Sequence, residues 1–327
     1  MEQKLNSIVV ERSCLLVIQR RFYSYERLIR EALEAKGFRV TVANDEYPES
    51  TFGKIMGKLQ VPLIFQITRQ VFARRFLNGA TYDLALIFKG RGMSPALIRD
   101  LRARAGRVIA YNWDSFGLNR SPLAWMKDTS SYSTFDYRDA DRHGLPVIEL
   151  FSSAAKGAGV KEIAYDVSVI VRNHCERLRY IDQVLSALKP RRVYVSIYEL
   201  NLFTFAFNFV RSPRLYVKYW RNISFVPVSY DEYSRVMSAS EFTIDYAHDT
   251  QSGITMRCFE AINQRTKIIT NNRYMTRSPH FHVTDYVVHV EGDPHASLVA
   301  GYENVRECAY ASQPRTIAQF IDDLITA

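Results

Sequence analysis

Short apolar runs alternate with longer stretches of helical periodicity along this chain, and this alternation limits the folds open to it more than any other feature. Each run has the length of a buried strand, and each longer stretch places its apolar residues on one helix face. In the first half, the predicted strands and helices are 14–18, 25–36, 38–42, 83–88, 95–105, 107–111 and 147–150. Strands that alternate with helices in this way favour parallel pairing, and therefore an α/β fold.

A short linker divides the chain. Residues 151–162 are small and rich in Ser, Ala and Gly, and the alternation starts again after them. The predicted elements of the second half include strands at 165–171, 192–197, 223–226, 242–245 and 267–270, and helices at 176–188 and 316–325. We predict one domain over 1–155, a second over 156–310, and a helical segment over 311–327 that packs back on the first domain. A ligand would lie in a cleft between the halves, at the carboxyl ends of the strands.

Basic residues outnumber acidic ones, which indicates an anionic partner. The 327 residues include 43 Lys and Arg against 34 Asp and Glu, a formal net charge of +9. Such a surplus favours nucleic acid, a phosphorylated small molecule or an acidic membrane surface. The sequence has no helix-turn-helix pattern, no RNA-binding aromatic motif and no zinc-finger spacing, so we expect no nucleic-acid partner.

Several absences narrow the class of protein. No stretch reaches the ~18 apolar residues that cross a bilayer, and the nearest, residues 202–210, is too short. The first ten residues lack the apolar core of a signal peptide. The cysteines are too scattered for a disulfide framework or a zinc site; they are Cys14, Cys175, Cys258 and Cys308. We therefore expect reduced thiols and a cytoplasmic protein, soluble or peripheral at the inner face of the cytoplasmic membrane.

The most informative segment is 242–272, which predicts a strand, a polar loop, a helix and a second strand. Ser252 is a good helix N-cap, and Gly253 allows the backbone to approach a ligand closely. The unpaired N–H groups that follow, at the positive end of the helix dipole, would bind a phosphate. Arg257 would add a guanidinium, and Glu260 on the second turn would reach ribose hydroxyls beside a diphosphate. An ordinary capped helix would begin with the same Ser-Gly pair.

This segment resembles the nucleotide-sugar motif of bacterial GT-B glycosyltransferases that build capsule, exopolysaccharide and lipopolysaccharide. The family's run Gln-Ser-Gly-x-Thr-Met-Arg-x-Phe-Glu-Ala matches residues 251–261, and its strand ending in Thr-Asn matches 268–271. The first half is similar more loosely, at 111–115 (Tyr-Asn-Trp-Asp-Ser) and within 133–146. The chain departs from the family at 169–174, where Val-Ile-Val-Arg-Asn-His replaces a Gly-containing loop.

The resemblance implies a GT-B fold, in which two Rossmann-like domains face each other across a cleft. The N-terminal domain would bind the acceptor, and the C-terminal domain would bind the nucleotide sugar. The implied activity moves a sugar from a nucleotide-diphosphate donor to a hydroxyl of a glycan or polyprenyl-linked acceptor in bacterial surface polysaccharide biosynthesis. No metal and no cofactor besides the donor are implied. The donor-binding residues that the motif carries over are Gln251, Ser252, Gly253, Ile254, Thr255, Arg257 and Glu260.

Charged residues after the first-half strands are the other candidates for the site. An inverting transfer needs a carboxylate to take the acceptor proton, and Asp114 at a predicted strand end is our candidate. A turn aspartate has the same sequence position, and a retaining enzyme would not need this base. The predicted contacts to phosphate or acceptor are Arg20, Arg21, Lys89, Arg91 and His248.

Two patterns match metal sites in spacing but not in context. Asp139 and Asp141 have the Asp-x-Asp spacing of the other major transferase fold, yet they lie at a predicted helix start near the linker. His280 and His282 alternate like strand neighbours and lack a nearby carboxylate and histidine set. We therefore predict that no metal is bound.

A basic amphipathic segment begins at Lys54 and ends at Leu77. Its Lys and Arg residues are interleaved with Ile, Leu, Met and Phe, a pattern typical of helices that lie on anionic lipid. Polyprenyl-linked acceptors reside at the same surface, so we predict a peripheral membrane contact here. A helix packed on its own domain with a solvated basic face has the same pattern.

Two other functions fit these residues. A nucleotide-sugar epimerase or hydrolase can use the same fold, because it binds the same donor and differs only in where the sugar goes. A non-catalytic protein that binds a membrane or nucleic acid would carry the same basic surplus.

Overall fold

A computed structural model of the protein describes residues 12–19, 25–153, 162–173 and 176–327. The chain divides into two compact units. The first comprises Met1–Glu149 and Ile317–Ala327, and the second comprises Leu150–Thr316. Most of the predicted linker lies outside the described residues. No described helix has the length and the apolar content needed to span a membrane.

The first unit alternates strands with helices, as the sequence predicts. Its strands are β1 (Arg12–Val17), β2 (Phe38–Ala43), β3 (Tyr82–Phe88), β4 (Ala105–Asn112) and β5 (Ser131–Thr134). Its helices within the N-terminal part of the chain are α1 (Tyr25–Glu34), α2 (Thr51–Lys58), α3 (Pro62–Arg75), α4 (Pro95–Arg102) and α5 (Tyr137–His143). The first four predicted strands are therefore confirmed.

All strand pairs of the first sheet are parallel, in the order β2-β1-β3-β4-β5. In β1, Leu15 lies opposite Thr41 on one side and Ala85 on the other. β1 is an almost continuous apolar run because this central strand is buried on both faces of the sheet. The strand order reverses between β1 and β3, and open α/β sheets bind ligands at the carboxyl ends of the strands beside such a switch point.

Two predicted helix boundaries are confirmed, and local chemistry explains both. The Ser94 side chain accepts a hydrogen bond from the N–H of Leu97 at 3.3 Å, and Pro95 occupies the first position of α4. After α1, Gly37 has a φ of +80°, a left-handed conformation that glycine adopts without steric cost.

The second unit is built on a six-stranded sheet. Its strands are β6 (Tyr165–Arg172), β7 (Val193–Tyr198), β8 (Ile223–Ser224), β9 (Ser240–Asp245), β10 (Lys267–Thr270) and β11 (Tyr286–Val288). Its helices are α6 (Arg177–Leu188), α7 (Leu202–Arg211), α8 (Pro213–Lys218), α9 (Tyr230–Ser238), α10 (Met256–Asn263) and α11 (His295–Glu307).

The second sheet is also entirely parallel, in the order β11-β10-β9-β6-β7-β8. Counted within the unit and from the other edge, this is the order 3-2-1-4-5-6 of the doubly wound nucleotide-binding fold. The switch point lies between β6 and β9, where Ser168 is paired with Thr243. The loop that follows β9 is therefore positioned for ligand binding.

The last helix, α12 (Ile317–Thr326), belongs to the first unit. The ring of Phe320 lies 5.2 Å from that of Tyr111 and 6.3 Å from that of Phe88, measured between centroids. Asp322 forms an ion pair with Lys36 at 2.5 Å. α12 thus completes one face of the first sheet with the buried side chains of its apolar stripe.

The predicted strand at 147–150 is wrong. Val147 forms only an isolated parallel bridge with Thr134, and the carbonyl of Ile148 accepts a hydrogen bond from the Tyr111 hydroxyl at 2.7 Å. These apolar residues lie in an irregular segment beside β5 and are largely buried. Their hydrophobicity therefore reflects burial and not a place in a hydrogen-bonded strand.

The basic amphipathic segment at 54–77 covers the end of α2 and the whole of α3. Gln60, between α2 and α3, has a φ of +53°, and Pro62 begins α3. In α3, Ile64 and Phe72 are buried, while Arg69 pairs with Asp100 at 2.6 Å. The exposed apolar residues of this segment are Ile55, Leu59 and Leu63.

Phe320→Ala should destabilise the first unit by about 3–5 kcal/mol, because it removes a fully buried ring from between α12 and the sheet. Urea denaturation measures the free energy of unfolding. Phe203→Ala is the matched control, since the Phe203 side chain is 88% exposed and its truncation should cost less than ~0.5 kcal/mol. Equal losses in the two variants would contradict the placement of α12.

Candidate functional site

The motif identified at 251–261 lies at the switch point of the second sheet. β9 ends at Asp245, residues 246–255 form a loop, and α10 follows. Across the switch point, β6 ends at Arg172. The loop therefore occupies the position where open α/β sheets bind their ligands.

Asp245 joins the loop, the helix and the neighbouring strand. Its buried carboxylate accepts hydrogen bonds from the Thr255 hydroxyl at 2.8 Å, from Nη1 of Arg257 at 3.1 Å and from the Thr270 hydroxyl at 3.4 Å. A buried charge is tolerated only with such partners. Asp245 was not among the predicted site residues, although a carboxylate that ends an apolar strand is a signal that could have identified it.

Two asparagines after β10 hold the loop in place. The side chain of Asn271 accepts from the N–H of Ala247 at 2.7 Å and donates to its carbonyl at 3.0 Å. Nδ2 of Asn272 donates to the carbonyls of Ser252 at 3.1 Å and Gly253 at 3.2 Å. The Thr-Asn strand end of the motif therefore fixes the loop backbone at its two ends.

The predicted N-cap at Ser252 is wrong. α10 begins at Met256, and Thr255 occupies the N-cap position. The Thr255 hydroxyl makes no capping bond, and it donates to Asp245. The first turn of α10 consequently starts about one helical turn later than predicted, and its leading N–H groups belong to Met256 and Arg257.

Arg257 is held by its ion pair and retains one unused donor. Only a fifth of the side chain is exposed, and Nε is buried without a hydrogen-bond partner among the described residues. Burial acts to lower the pKa of Arg257, but Asp245 and other nearby groups raise it to above its ordinary value. The guanidinium therefore stays charged at the start of α10.

Glu260 is buried on the second turn of α10 and accepts a hydrogen bond from the Ser153 hydroxyl at 2.6 Å. The Ser153 hydroxyl also lies 3.4 Å from that of Tyr230. Burial raises the pKa of Glu260, and the hydrogen bond from Ser153 opposes that shift. Ser153 and Tyr230 join the candidate site only through the tertiary fold, since they lie 107 residues and 30 residues from Glu260 in sequence.

The remaining motif residues shape the loop. Nδ1 of His248 accepts from the N–H of Thr250 at 3.2 Å, and the N–H of Gln251 donates to the His248 carbonyl at 2.8 Å. Gln251 is half-buried, whereas Ile254 is buried. His248 therefore stabilises a turn within the loop, and Ile254 anchors the loop to the core.

In the first unit, the fold brings together two of the predicted residues. Nζ of Lys89, after β3, lies 2.6 Å from Oδ2 of Asp114, after β4. The N–H of Asp114 donates to Oδ1 of Asn112 at 3.2 Å. Both side chains are partly exposed, at 11% for Lys89 and 22% for Asp114.

Beside this pair lie two acidic residues that were not predicted, Asp45 and Glu46, together with Arg91, which was predicted. The N–H of Arg91 donates to Oδ2 of Asp45 at 3.2 Å, and its Nη1 lies 3.9 Å from Oε1 of Glu46. Burial raises the pKa of Asp45, although Lys89 and Arg91 act against the shift. A Cβ on Gly92 would lie 2.8 Å from the Asp45 carbonyl oxygen, so this approach requires glycine. An Asn-Asp-Glu run directly after a predicted strand was the available signal.

The other predicted positions lie apart from these two groups. Arg20 and Arg21 are outside the described residues. Oδ2 of Asp139 accepts from the N–H of Phe116 at 2.6 Å, which ties it to a loop. Nε2 of His280 lies 3.2 Å from Nη1 of Arg315. Across the described ranges, no three His, Cys, Asp or Glu side chains form a group that could hold a metal.

Neither a protein-family model nor a curated protein matches the chain. Several solved structures are similar along nearly its whole length. The lipopolysaccharide outer core galactosyltransferase WaaB, in its apo form, has a TM-score of 0.62 and 9% identity, covering 95% of each chain. HepE from Anabaena, in complex with UDP-glucose, has a TM-score of 0.56 and 11% identity over 96% of this chain and 98% of that one.

A third structure is UDP-GlcNAc 2-epimerase from Methanocaldococcus jannaschii in complex with UDP-GlcNAc and UDP. Its TM-score is 0.53 at 12% identity, over 96% of this chain and 99% of that one. At these identities the similarity concerns the fold. The two parallel sheets and these structures together show the two-domain Rossmann-like GT-B fold that the resemblance predicted.

Asp45→Asn and Asp83→Asn should change the pH dependence of stability in opposite senses. Burial holds the pKa of Asp45 above its ordinary 3.8, so its contribution to the free energy of unfolding falls as pH rises from 3.8 through the raised value. Hydrogen bonds from Ser13 hold the pKa of Asp83 below 3.8, so its contribution is present above 3.8 and is lost as pH falls through the lowered value.

Urea denaturation at a series of acidic to neutral pH values measures both effects. Asp45→Asn should flatten the loss of stability with rising pH, and Asp83→Asn should flatten the loss with falling pH. A slope that changes in the same direction in both variants would show that Asp45 is not a buried acid.

Proposed function

We propose that this protein is a glycosyltransferase that moves a sugar from a nucleotide-diphosphate donor to a hydroxyl of an acceptor. One observation carries the proposal: the 251–260 motif forms the end of the loop at the switch point of a 3-2-1-4-5-6 sheet and the first turns of α10. HepE, which has the same fold, binds UDP-glucose, and the archaeal epimerase binds UDP-GlcNAc and UDP. A nucleotide sugar is the ligand class that these features favour.

The donor diphosphate would bind at the start of α10. The helix places its leading N–H groups and positive dipole end beside the end of β9. A phosphate oxygen would also accept the Nε–H of Arg257, a buried donor that costs free energy while it is unpaired. The same groups would stabilise the charge that develops on the departing nucleoside diphosphate, so we assign this site no metal and no further cofactor.

Glu260 would bind the ribose of the donor. Its carboxylate is buried one turn beyond Arg257, and Ser153 occupies part of its accepting capacity. Ribose hydroxyls would donate to the remaining lone pairs, as they do to the acidic residue of other doubly wound folds. Because the carboxylate is buried, neutral hydroxyl donors of this kind are favourable partners for it.

Asp114 would be the general base of an inverting transfer. It is more exposed than Asp45, which is 1% exposed and cannot reach an acceptor hydroxyl without movement. Lys89 holds one oxygen of the Asp114 carboxylate at 2.6 Å, which would leave the other oxygen to take the acceptor proton. Arg91, with Arg20 and Arg21, would contact an anionic acceptor or phosphate.

The acceptor would be a glycan or a polyprenyl-linked sugar of bacterial surface polysaccharide. This part of the proposal is supported by the fold shared with the galactosyltransferase of the lipopolysaccharide outer core. Residues 54–77 would contact the inner face of the cytoplasmic membrane through Lys58 and the exposed Ile55, Leu59 and Leu63.

A second function has a specific observation in its favour. The archaeal UDP-GlcNAc 2-epimerase matches this chain over its whole length in a similar arrangement of elements. A nucleotide-sugar epimerase or hydrolase would use the same donor site, and would convert the donor in the absence of any acceptor.

Isothermal titration calorimetry against UDP-, GDP-, CMP- and dTDP-sugars should show binding of at least one donor. Arg257→Lys keeps the charge beside Asp245 but removes the Nε–H, so it should weaken donor binding about tenfold to hundredfold. Glu260→Gln should weaken binding by a similar factor without loss of stability, since it removes a buried charge. Arg235→Gln is the control, because its exposed pair with Glu232 lies on the same unit.

No binding of any donor by folded protein would contradict the proposed function. Unchanged affinity in Arg257→Lys and Glu260→Gln would place the donor elsewhere.

Asp114→Asn should lower the rate of sugar transfer about 10²–10⁴-fold while donor affinity stays constant, because it removes only the proton acceptor. The measurement follows products from donor with and without a polyprenyl-linked acceptor. Product formed from donor alone would favour the epimerase or hydrolase. Wild-type transfer rates in Asp114→Asn would exclude Asp114 as the base.

A further inference from the structure

The second unit has an apolar and basic face that the proposed donor site does not use. It is formed by α7, α8, the short 3-10 helix Trp220–Asn222 and β8 with the residues that follow. We call it the α7 face. Its exposed apolar side chains are Leu202, Phe203, Phe207, Val210, Val217, Trp220, Phe225 and Val226.

Helix α7 carries phenylalanines both toward and away from the unit. Phe205 and Phe209 pack on the buried Tyr216, with ring centroids 5.3 and 5.9 Å apart. Phe203 and Phe207 are exposed, and none of the ten residues of α7 is buried. The inner rings attach the helix, while the outer apolar side chains remain in water at a free-energy cost that a docking partner would remove.

The charge of this face is entirely positive. Residues 200–230 contain no Asp or Glu, whereas they contain Arg211, Arg214, Lys218 and Arg221. Arg214 and Arg221 are exposed, and within the described ranges neither forms an ion pair. These two cations are therefore available to an anionic partner.

The other two cations are paired but remain at the surface. Arg211 lies 3.2 Å from Glu176, with its guanidinium carbon 5.6 Å from the centroid of the Phe207 ring. Lys218 lies 2.5 Å from Asp182. Both side chains are more than half exposed.

We propose that the α7 face docks on the surface of an anionic phospholipid bilayer. Its apolar side chains would enter the boundary between headgroups and acyl chains, and Arg214 and Arg221 would bind the headgroup phosphates. Trp220 would lie at the interface, where indole rings are favoured. α7 is ten residues long, so it would lie in the plane of the surface.

Charge and side-chain chemistry favour lipid over other occupants. A second copy of the chain would bring the same unopposed cations against Arg214 and Arg221, and like charges repel. A nucleic acid would stack on the aromatic rings but would leave the aliphatic Val210 and Val217 without an apolar partner. Lipid acyl chains would provide an apolar partner for both the aromatic and the aliphatic side chains. The proposal does not depend on the donor site, and it concerns a different part of the chain from 54–77.

The first test is co-sedimentation of the full chain with vesicles of phosphatidylcholine alone and of equal parts phosphatidylcholine and phosphatidylglycerol. The protein should sediment with the mixed vesicles and remain in solution with phosphatidylcholine. Tryptophan emission should shift to shorter wavelength on binding, and Trp220→Phe should abolish the shift. Trp220 is 61% exposed, whereas Trp113 and Trp125 are buried and should contribute little to the emission shift.

Two double variants locate the binding surface. Phe203→Ser with Phe207→Ser, and Arg214→Gln with Arg221→Gln, should each weaken vesicle binding about tenfold or more. Val283→Ser changes an exposed apolar residue elsewhere on the unit and should have no effect. Arg39→Gln with Arg104→Gln, two exposed arginines of the first unit outside residues 54–77, is the charge-matched control and should also bind normally. Circular dichroism and thermal melting verify that all variants are folded.

Each remaining outcome would overturn the proposal. Absence of binding to the mixed vesicles would exclude lipid docking. Full binding by both double variants of the α7 face, or loss only in the Arg39 and Arg104 variant, would place the membrane contact elsewhere. A dimer in sedimentation velocity that dissociates in the Phe203 and Phe207 variant would make the face an interface between copies. RNA binding lost in the same variants, without vesicle binding, would make the partner a nucleic acid.

Discussion

The carboxylate of Asp245 is the constraint on which the candidate site of the second unit depends. It is buried at the end of a core strand, and a buried charge is stable only when hydrogen bonds and an opposite charge compensate it. Thr255, Arg257 and Thr270 provide that compensation. Because these partners come from the loop, the helix and the adjacent strand, satisfying one charge also fixes the geometry of all three elements.

The order of the strands explains why polar side chains cluster at this end of the sheet. Parallel sheets bury both faces, so their central strands are apolar and offer functional groups only beyond their carboxyl ends. At the β6–β9 switch point, the connections leave in opposite directions, and Asp245 lies beside it at the carboxyl end of β9. The first unit has the same arrangement, because its charged residues also follow the ends of its strands. These residues are Asp45, Lys89, Arg91 and Asp114.

The charged residues of the two units lie in different surroundings. Around Arg257 and Glu260, a cation and a carboxylate lie on successive turns of one helix, the arrangement on which the proposed donor site rests. In the first unit, Lys89 pairs with the partly exposed Asp114, whereas the buried Asp45 accepts a hydrogen bond from the backbone N–H of Arg91. These two carboxyl groups therefore lie in unequal environments, although they are chemically identical.

Edge positions and long-range partners explain where sequence-based prediction was wrong or incomplete. The central strands were recognisable because they are continuous apolar runs. β5, with the sequence Ser-Tyr-Ser-Thr, was missed because its apolar signal is weak, and the three-residue β11 was missed because it is too short to show a periodic pattern. Residues 147–150 have strand-like hydrophobicity but are buried without a ladder.

The sequence by itself determined the α/β class, the division into two halves and the motif around Arg257 and Glu260, because apolar periodicity and a contiguous motif are local properties. Only the tertiary structure decided the start of α10 at Met256, the role of Asp245, and the approach of Ser153 to Glu260. It also decided that the outer face of α7 stays in water while its inner rings are packed. These features depend on contacts between residues distant in sequence, and the burial that sets their energies exists only once the chain has folded.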